Sequence, residues 1–215
     1  MCNGLDEVSI PRASYGGGNS VVRFRGVKVD LYTFRTDDAA IRLYTKWVNN
    51  ENISMWTGQN REVFTYEQEA VTLTDAERYK KGKHFNIVRK DTGVLIGNCS
   101  VTVDERNPSN GRIGIMIGDE GNCNEGFGTE TIKLLLKYCF EDLGLHNVTL
   151  GVHGDNARAI KCYTKCGFKE AGRYREFMWA KDHWADRVFM QILANEYYAN
   201  KPNKLPTDNA RPQYD

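Results

Sequence analysis

Asn156-Ala157-Arg158-Ala159-Ile160-Lys161-Cys162-Tyr163-Thr164-Lys165-Cys166-Gly167-Phe168 is the stretch whose reading decides the fold. Asp155 or Asn156 can cap a short helix, because a short polar side chain accepts from an otherwise orphaned first-turn amide. Ala159, Cys162, Tyr163 and Cys166 follow at i, i+3, i+4 and i+7, which places them on one helix face. Gly167 suits a left-handed stop, and Phe168 opens the next strand.

Upstream lies a second informative stretch, from Ile115 to Glu130. An apolar strand runs into a glycine-rich loop, and the loop runs into an amphipathic helix. Glycine lets the backbone turn with positive φ and lets a ligand come close. The first amides of a helix have no partner inside it, so they form a ready cradle for a pyrophosphate. Taken alone, Gly126-x-Gly128 serves as a plain connector about as often as a phosphate cradle. A Walker loop is excluded, since no Gly-Lys-Ser/Thr follows. A dinucleotide fingerprint is excluded because no acid ends the next strand and the flanking strands read as antiparallel.

The rest of the chain alternates strand and helix signals. Residues 21–35 read as a strand or hairpin around Gly26. A helix capped by Thr36, with Asp37 and Asp38 in its first turn, runs to about Val48. Thr65 opens a second helix, to about Lys80. Strands follow at 84–89 and 94–104 around the turn Asp91-Thr92-Gly93, and at 112–118. Residues 126–143 form a long helix on which Phe127, Ile132, Leu135, Leu136, Cys139, Phe140 and Leu143 recur at helical spacing. Strands at 147–153, 168–178 and 188–194 bracket the helix at 157–166. The order is β-α-α-β-β-β-α-β-α-β-β, that of a mixed α/β sheet. Residues 1–20 read as a flexible lead-in, 21–200 as a single domain and 201–215 as an irregular, proline-bearing tail.

The 215 residues suffice for one domain with a sizeable core. A net charge of +1 gives no bulk attraction to nucleic acid or anionic lipid, so neither is an expected partner. The six cysteines form no Cys-x-x-Cys pair and only four histidines are present, so no metal site is expected. Cys162 and Cys166, four apart, read as small apolar residues rather than a metal clip. There is no secretory pattern and no apolar run of bilayer length, and a reduced, cytoplasmic protein is the default expectation.

The loop ending Gly126-Phe127-Gly128-Thr129-Glu130 and the run Asn156…Ala159-Ile160…Tyr163-x-Lys165-x-Gly167-Phe168 together resemble the GNAT superfamily of acetyl-CoA-dependent N-acetyltransferases. The resemblance covers about residues 21–198 by element order and is tightest over 112–168. Trp47-Val48-Asn49-Asn50 looks like the branch of ribosomal-protein and protein N-terminal (RimJ/RimL-like) acetyltransferases. The ending Gly172-Arg173-x-Arg175…Trp184-Ala185-Asp186-Arg187 is similar both to that branch and to the spermidine acetyltransferases. The implied fold is a mostly antiparallel sheet of about six or seven strands with about four helices.

The resemblance also implies a site. Main-chain groups of Ile115, Met116 and Ile117 would hold the pantetheine arm, and one amide, assigned to Ile117, would polarise the thioester oxygen. Amides from Cys123, Asn124, Glu125, Gly126, Phe127 and Gly128 to Thr129 would take the pyrophosphate. Asn156 would bond the cofactor arm or simply cap its helix. Tyr163 would protonate the departing thiolate, against the plainer reading of a core aromatic. Family members usually carry Arg or Gln where Cys123 stands, Glu125 is an unhelpful charge beside phosphate, and the loop is longer than usual by a residue. Arg158, Lys161 or Lys165 would then compensate.

No general base stands out. Asp104 and Glu105 are candidates beside a water chain, and each reads first as an ordinary surface acid near a turn. Cys162 has no activating His, so direct transfer in a ternary complex is preferred to an acyl-enzyme. Trp47, Glu51, Trp56, Tyr174 and Phe177 are expected to line the acceptor pocket. Three functions stay open: transfer to a protein or peptide α-amine, transfer to a small amine (polyamine, aminoglycoside or amino sugar), and a non-catalytic CoA-binding protein. A homodimer is also left open.

Overall fold

The computed structural model describes residues 21–56, 63–75, 82–118, 120–180, 182–199 and 201. Residues 1–20 and the tail beyond Lys201 lie outside the described residues, as do Ala76–Lys80 of the expected second helix. Eight strands occur in the hydrogen-bonded order β1-β2-β3-β4-β5-β6-β8-β7. They are β1 Val22–Arg25, β2 Val29–Thr33, β3 Gly82–Arg89, β4 Leu95–Val103, β5 Asn110–Ile117, β6 Asn147–His153, β7 Lys169–Ala180 and β8 His183–Leu193. Six helices are present among the described residues: α1 Asp38–Val48, α2 Glu51–Ser54, α3 Tyr66–Thr74, α4 Phe127–Lys137, α5 Ala157–Lys165 and α6 Ala194–Ala199.

The fold is thus the expected mixed α/β sheet, with a strand and two helices more. The extra strand comes from residues 21–35, which form a hairpin paired from Val22↔Tyr32 to Arg25↔Asp30. The extra helices, α2 and α6, are short. Strand β1 pairs antiparallel with β2, β2 with β3, β6 with β8 and β7 with β8. The expectation of antiparallel neighbours around the glycine loop is overturned: β5 and β6 run parallel, as a helix crossover between them permits.

Contact density divides the chain into two compact units. The first holds the described residues up to Ser100 together with Ile115–Thr131; the second holds Val101–Gly114 and the described residues from Ile132 onward. In the first unit, Ala40, Ile41, Tyr44, Trp47, Leu73, Val88 and Leu95 form a core, with Met116 packed against it. Each fully buried aliphatic side chain of this kind contributes about 1.5–3 kcal/mol. The N-cap of α1 is Asp37, not Thr36: its backbone is extended and its Oδ1 accepts from Ala40 N–H at 3.2 Å. Thr65 caps α3 in a reciprocal capping box with Gln68, but the helix ends at Thr74, where Asp75 turns extended.

In the second unit, β6 pairs with β8 along its whole length, from Asn147↔Leu193 to His153↔Arg187. Its parallel ladder with β5 covers only Asn110↔Asn147 to Arg112↔Thr149. The helix begun at Phe127 closes with a wide turn over Tyr138–Asp142, and Gly144 follows at φ 65°. That wide turn rotates Leu143 off the apolar stripe. It is exposed, whereas Ile132, Leu135, Leu136, Cys139 and Phe140 are buried. Strand β7 keeps its expected limits to within two residues, whereas β8 begins at His183, five residues before the expected Val188, because its first five residues lack the alternating burial that starts there.

Gly118, just past β5, has no room for a side chain. A Cβ there would meet the Trp47 indole at 1.9 Å. Gly118→Ala should therefore cost about 1–3 kcal/mol of stability through overpacking, read as a lowered midpoint in urea. An unchanged midpoint would mean that the indole has space to move.

Candidate active site

The loop between β5 and α4 is shaped by two left-handed residues, Asn124 (φ 66°) and Gly126 (φ 86°). Asn tolerates that region better than most side chains, and Gly does so without strain. The first bond within α4 runs from Glu130 N–H to Gly126 O at 3.0 Å. The amides of Phe127 and Gly128 therefore precede the first bond of the helix. A Cβ added at Gly128 would meet nothing within 4 Å, so the first turn is open there.

Three groups of the first unit hold this loop. The Glu130 carboxylate accepts from the amides of Val27, Lys28 (2.8 Å) and Val29 (3.3 Å), which pins the β1–β2 turn to the start of α4. Lys28 Nζ donates to the Glu125 carbonyl at 2.8 Å. Arg89 Nη1 donates to Asn122 Oδ1 at 3.1 Å, and its guanidinium lies 5.0 Å over the Phe127 ring. Arg89 also holds the Asp91 carboxyl down at about 2. The Glu125 side chain is exposed, and Cys123 is half-buried.

Within β5, Ile115, Met116 and Ile117 are half-buried. The Met116 carbonyl approaches β4 so closely that a Cβ at Gly97 would stand 2.1 Å from it. Glycine at 97 is what permits that approach.

In the second unit, Asn156 caps α5, with its Oδ1 accepting from Ala159 N–H at 3.0 Å. Gly167 (φ 98°) ends the helix, and the Phe168 amide folds back to the Tyr163 carbonyl at 3.1 Å. The half-buried Tyr163 ring meets Phe168 edge-on at 6.1 Å between centroids. Burial, aided by the Cys162 thiol, pushes the phenol up to about 12, with the Arg187 guanidinium pulling the other way. The phenol therefore keeps its proton throughout the neutral range. Cys162 and Cys166 are half-buried, and a hydrogen bond from the Cys166 thiol to Cys162, together with burial, pushes the Cys166 thiol up. Cys99, Cys123, Cys139, Cys162 and Cys166 form no disulfide.

Beside α5 lies a cluster that the sequence reading did not single out. His183 Nε2 meets Asp155 Oδ2 at 2.8 Å and its Nδ1 meets Asp182 Oδ1 at 3.0 Å. The buried His153 accepts at Nδ1 from the Asp155 amide at 3.3 Å, which puts a neutral ring's proton on Nε2. Burial lowers the pKa of His153, while hydrogen bonds to Asp182 and Asp155 raise that of His183. No spacing signal announces this group, because it joins the end of β6, the next loop and the start of β8.

The remaining expected residues fall as follows. Trp47 is a core residue of the first unit, only 4% exposed. Glu51 is exposed at the start of α2 and Trp56 is half-buried. Tyr174 and Phe177 are exposed, 5.4 Å apart between ring centroids. Arg158, Lys161 and Lys165 are exposed on α5. Asp104 and Glu105 are exposed, and Asp104 Oδ1 organises its own turn by accepting from Arg106 and Asn107 amides at 2.8 and 3.3 Å. No cluster of His, Cys, Asp and Glu among the described residues could hold a metal ion. No helix among them is long and apolar enough to cross a membrane.

The family described as "Acetyltransferase (GNAT) domain" matches residues 28–169. The chain belongs to that family and is an N-acetyltransferase. It is 28% identical to the uncharacterized N-acetyltransferase YoaA of Bacillus subtilis, over 67% of this chain and 81% of that one. Spermidine N-acetyltransferase from Vibrio cholerae, solved in complex with CoA and spermine, superposes with a TM-score of 0.69 at 22% identity, covering 79% of this chain and 98% of that one. Mycobacterium smegmatis RimJ in complex with CoA-disulfide superposes at 0.65 with 18% identity, covering 78% and 83%. Both branches named from the sequence are thus among the structural neighbours.

The His183 pair has a defined pH signature. Its folded pKa is raised above the ~6.5 of an unfolded histidine. Its contribution to stability is therefore complete below about pH 6.5 and is lost as pH rises through the folded value. Thermal melts of the wild type and His183→Gln should differ most at about pH 6 and converge toward about pH 9. A gap that does not change with pH would contradict the ion-pair assignment.

Proposed function

We propose that the chain transfers acetyl from acetyl-CoA to the α-amine of a protein or peptide, by direct attack in a ternary complex. The thioester supplies the activated acetyl group and a thiolate leaving group. The observation that carries the proposal is the Tyr163 phenol, held protonated by burial on a capped helix in the family's motif. A neutral phenol can donate a hydrogen bond or its proton to a departing thiolate, and it is not a base that could deprotonate an amine.

The chain's residues fit the cofactor. The amides at the start of α4 suit a diphosphate, and the left-handed turns at Asn124 and Gly126 bring the backbone toward such a ligand. The ladder between β5 and β6 ends at Arg112↔Thr149. Main-chain groups further along β5 thus fall outside that pairing, which supports a role for Ile115–Ile117 in holding the pantetheine arm. In this reading the Ile117 amide polarises the thioester oxygen, and Asn156 adds a contact to its capping role.

The acceptor reading rests on the β7–β8 hairpin. Tyr174, Phe177 and Trp184 are each more than half exposed, and Tyr174 also packs edge-on against Phe189 at 4.8 Å. An open aromatic wall suits an extended chain better than a small cation that must be enclosed. Soluble behaviour, a cytoplasmic location and a homodimer belong to the same proposal.

Tyr163→Phe keeps the ring and removes the proton. It should lower kcat about a hundredfold or more, the usual worth of general acid catalysis, while CoA affinity by calorimetry changes little. Wild-type turnover in that variant would rule out the acid role.

A further inference from the structure

The sequence leaves the diphosphate loop with an electrostatic problem. Glu120, Glu125 and Glu130 all lie at or near it, and Cys123 stands where a basic or amide side chain is usual in the family. The first unit contains an answer that spacing alone did not disclose. The Glu130 carboxylate is turned to the β1–β2 turn, where it accepts from the amides of Val27, Lys28 and Val29. Those same bonds carry Lys28 to the loop. A side chain at Gly26 could not be fitted into this turn, since its Cβ would lie 2.4 Å from Val29 O and 2.7 Å from Glu130 Oε1. Lys90 closes the turn from below, with its Nζ donating to Gly26 O at 2.7 Å and its amide to Lys28 O at 2.9 Å.

The Lys28 ammonium ends 2.8 Å from the Glu125 carbonyl and 3.6 Å from the position of a Cβ on Gly126. It is therefore next to the residue whose carbonyl starts α4 and whose successors offer their amides outward. An ammonium has three donors, and one bond to a carbonyl leaves two for an anion. Arg89, also near the loop, is engaged with Asn122, Asp91 and the Phe127 face. Lys28 is exposed at the rim, where a point charge can meet a phosphate without being desolvated first.

We infer that Lys28, delivered to the glycine loop by the Glu130 clamp, is the cation that binds the diphosphate of CoA. This rests on the proposed cosubstrate. It assigns to a lysine of the β1–β2 turn the compensating role that the sequence reading gave to Arg158, Lys161 or Lys165.

The test is calorimetric titration of the full chain with CoA and with dephospho-CoA, which lacks the 3′-phosphate. Lys28→Met and Lys28→Gln should each bind both ligands about tenfold more weakly than wild type, the usual worth of a hydrogen bond to a charged group. Lys28→Arg should stay within about threefold of wild type, because it keeps the charge. Wild-type affinity in the neutral variants would overturn the assignment. So would a loss confined to CoA, which would place Lys28 on the 3′-phosphate, or an equal loss in Lys28→Arg, which would mean packing rather than charge. Absence of heat with the wild-type chain at high micromolar CoA would instead bring down the cosubstrate reading, and this inference with it.

Discussion

A helix start leaves amides that the helix itself cannot satisfy, and the turn into α4 is organised around that deficit. Its first internal bond begins at Glu130, so the amides before it must look outward. Asn124 and Gly126 bend the chain so that they do. Glu130 would otherwise place a negative charge in the same turn, but its carboxylate is taken up by the β1–β2 turn. The loop proposed to bind the diphosphate is thereby tied to the β1–β2 turn.

The second unit contributes the Tyr163 phenol, the acid of the proposed reaction, in its neutral form. Tyr163 stands on a helix with a polar start and a glycine stop, so its place is set by backbone hydrogen bonds at both ends. Burial then fixes the chemistry, since a phenol driven up to about 12 is a donor under any ordinary condition. The loop before that helix is tied to the start of β8 through Asp155 and His183. Asn156, the cap, is the next residue along.

What the sequence disclosed, and what it hid, divides along the distance over which each signal acts. The run from Asn156 to Phe168 was legible in full, because cap, apolar face and stop are contiguous and each obeys a local rule. The glycine loop was legible as a strand-to-helix turn for the same reason. The first helix cap was misplaced by one residue, since Thr36 and Asp37 are both good caps and only the backbone angle chooses between them. The first five residues of β8, His183–Arg187, were missed because they lack the alternating burial that begins at Val188. The parallel pairing of β5 with β6, the clamp by Glu130 on residues 27–29 and the Asp155–His183 pair join segments far apart in sequence, and no spacing rule reaches that far. Trp47 was read as a pocket wall, yet its ring covers Gly118 in a core. An aromatic on a helix face looks the same in both roles until its neighbours are known.

The activity is tested most directly by following release of free CoA thiol from acetyl-CoA with a panel of primary amines, including peptides with a free α-amine and spermidine. Release that depends on the amine, and is fastest with the peptides, is the predicted result. No amine-dependent release by a chain that nonetheless binds CoA would contradict it, and would leave a cofactor-binding protein without transfer.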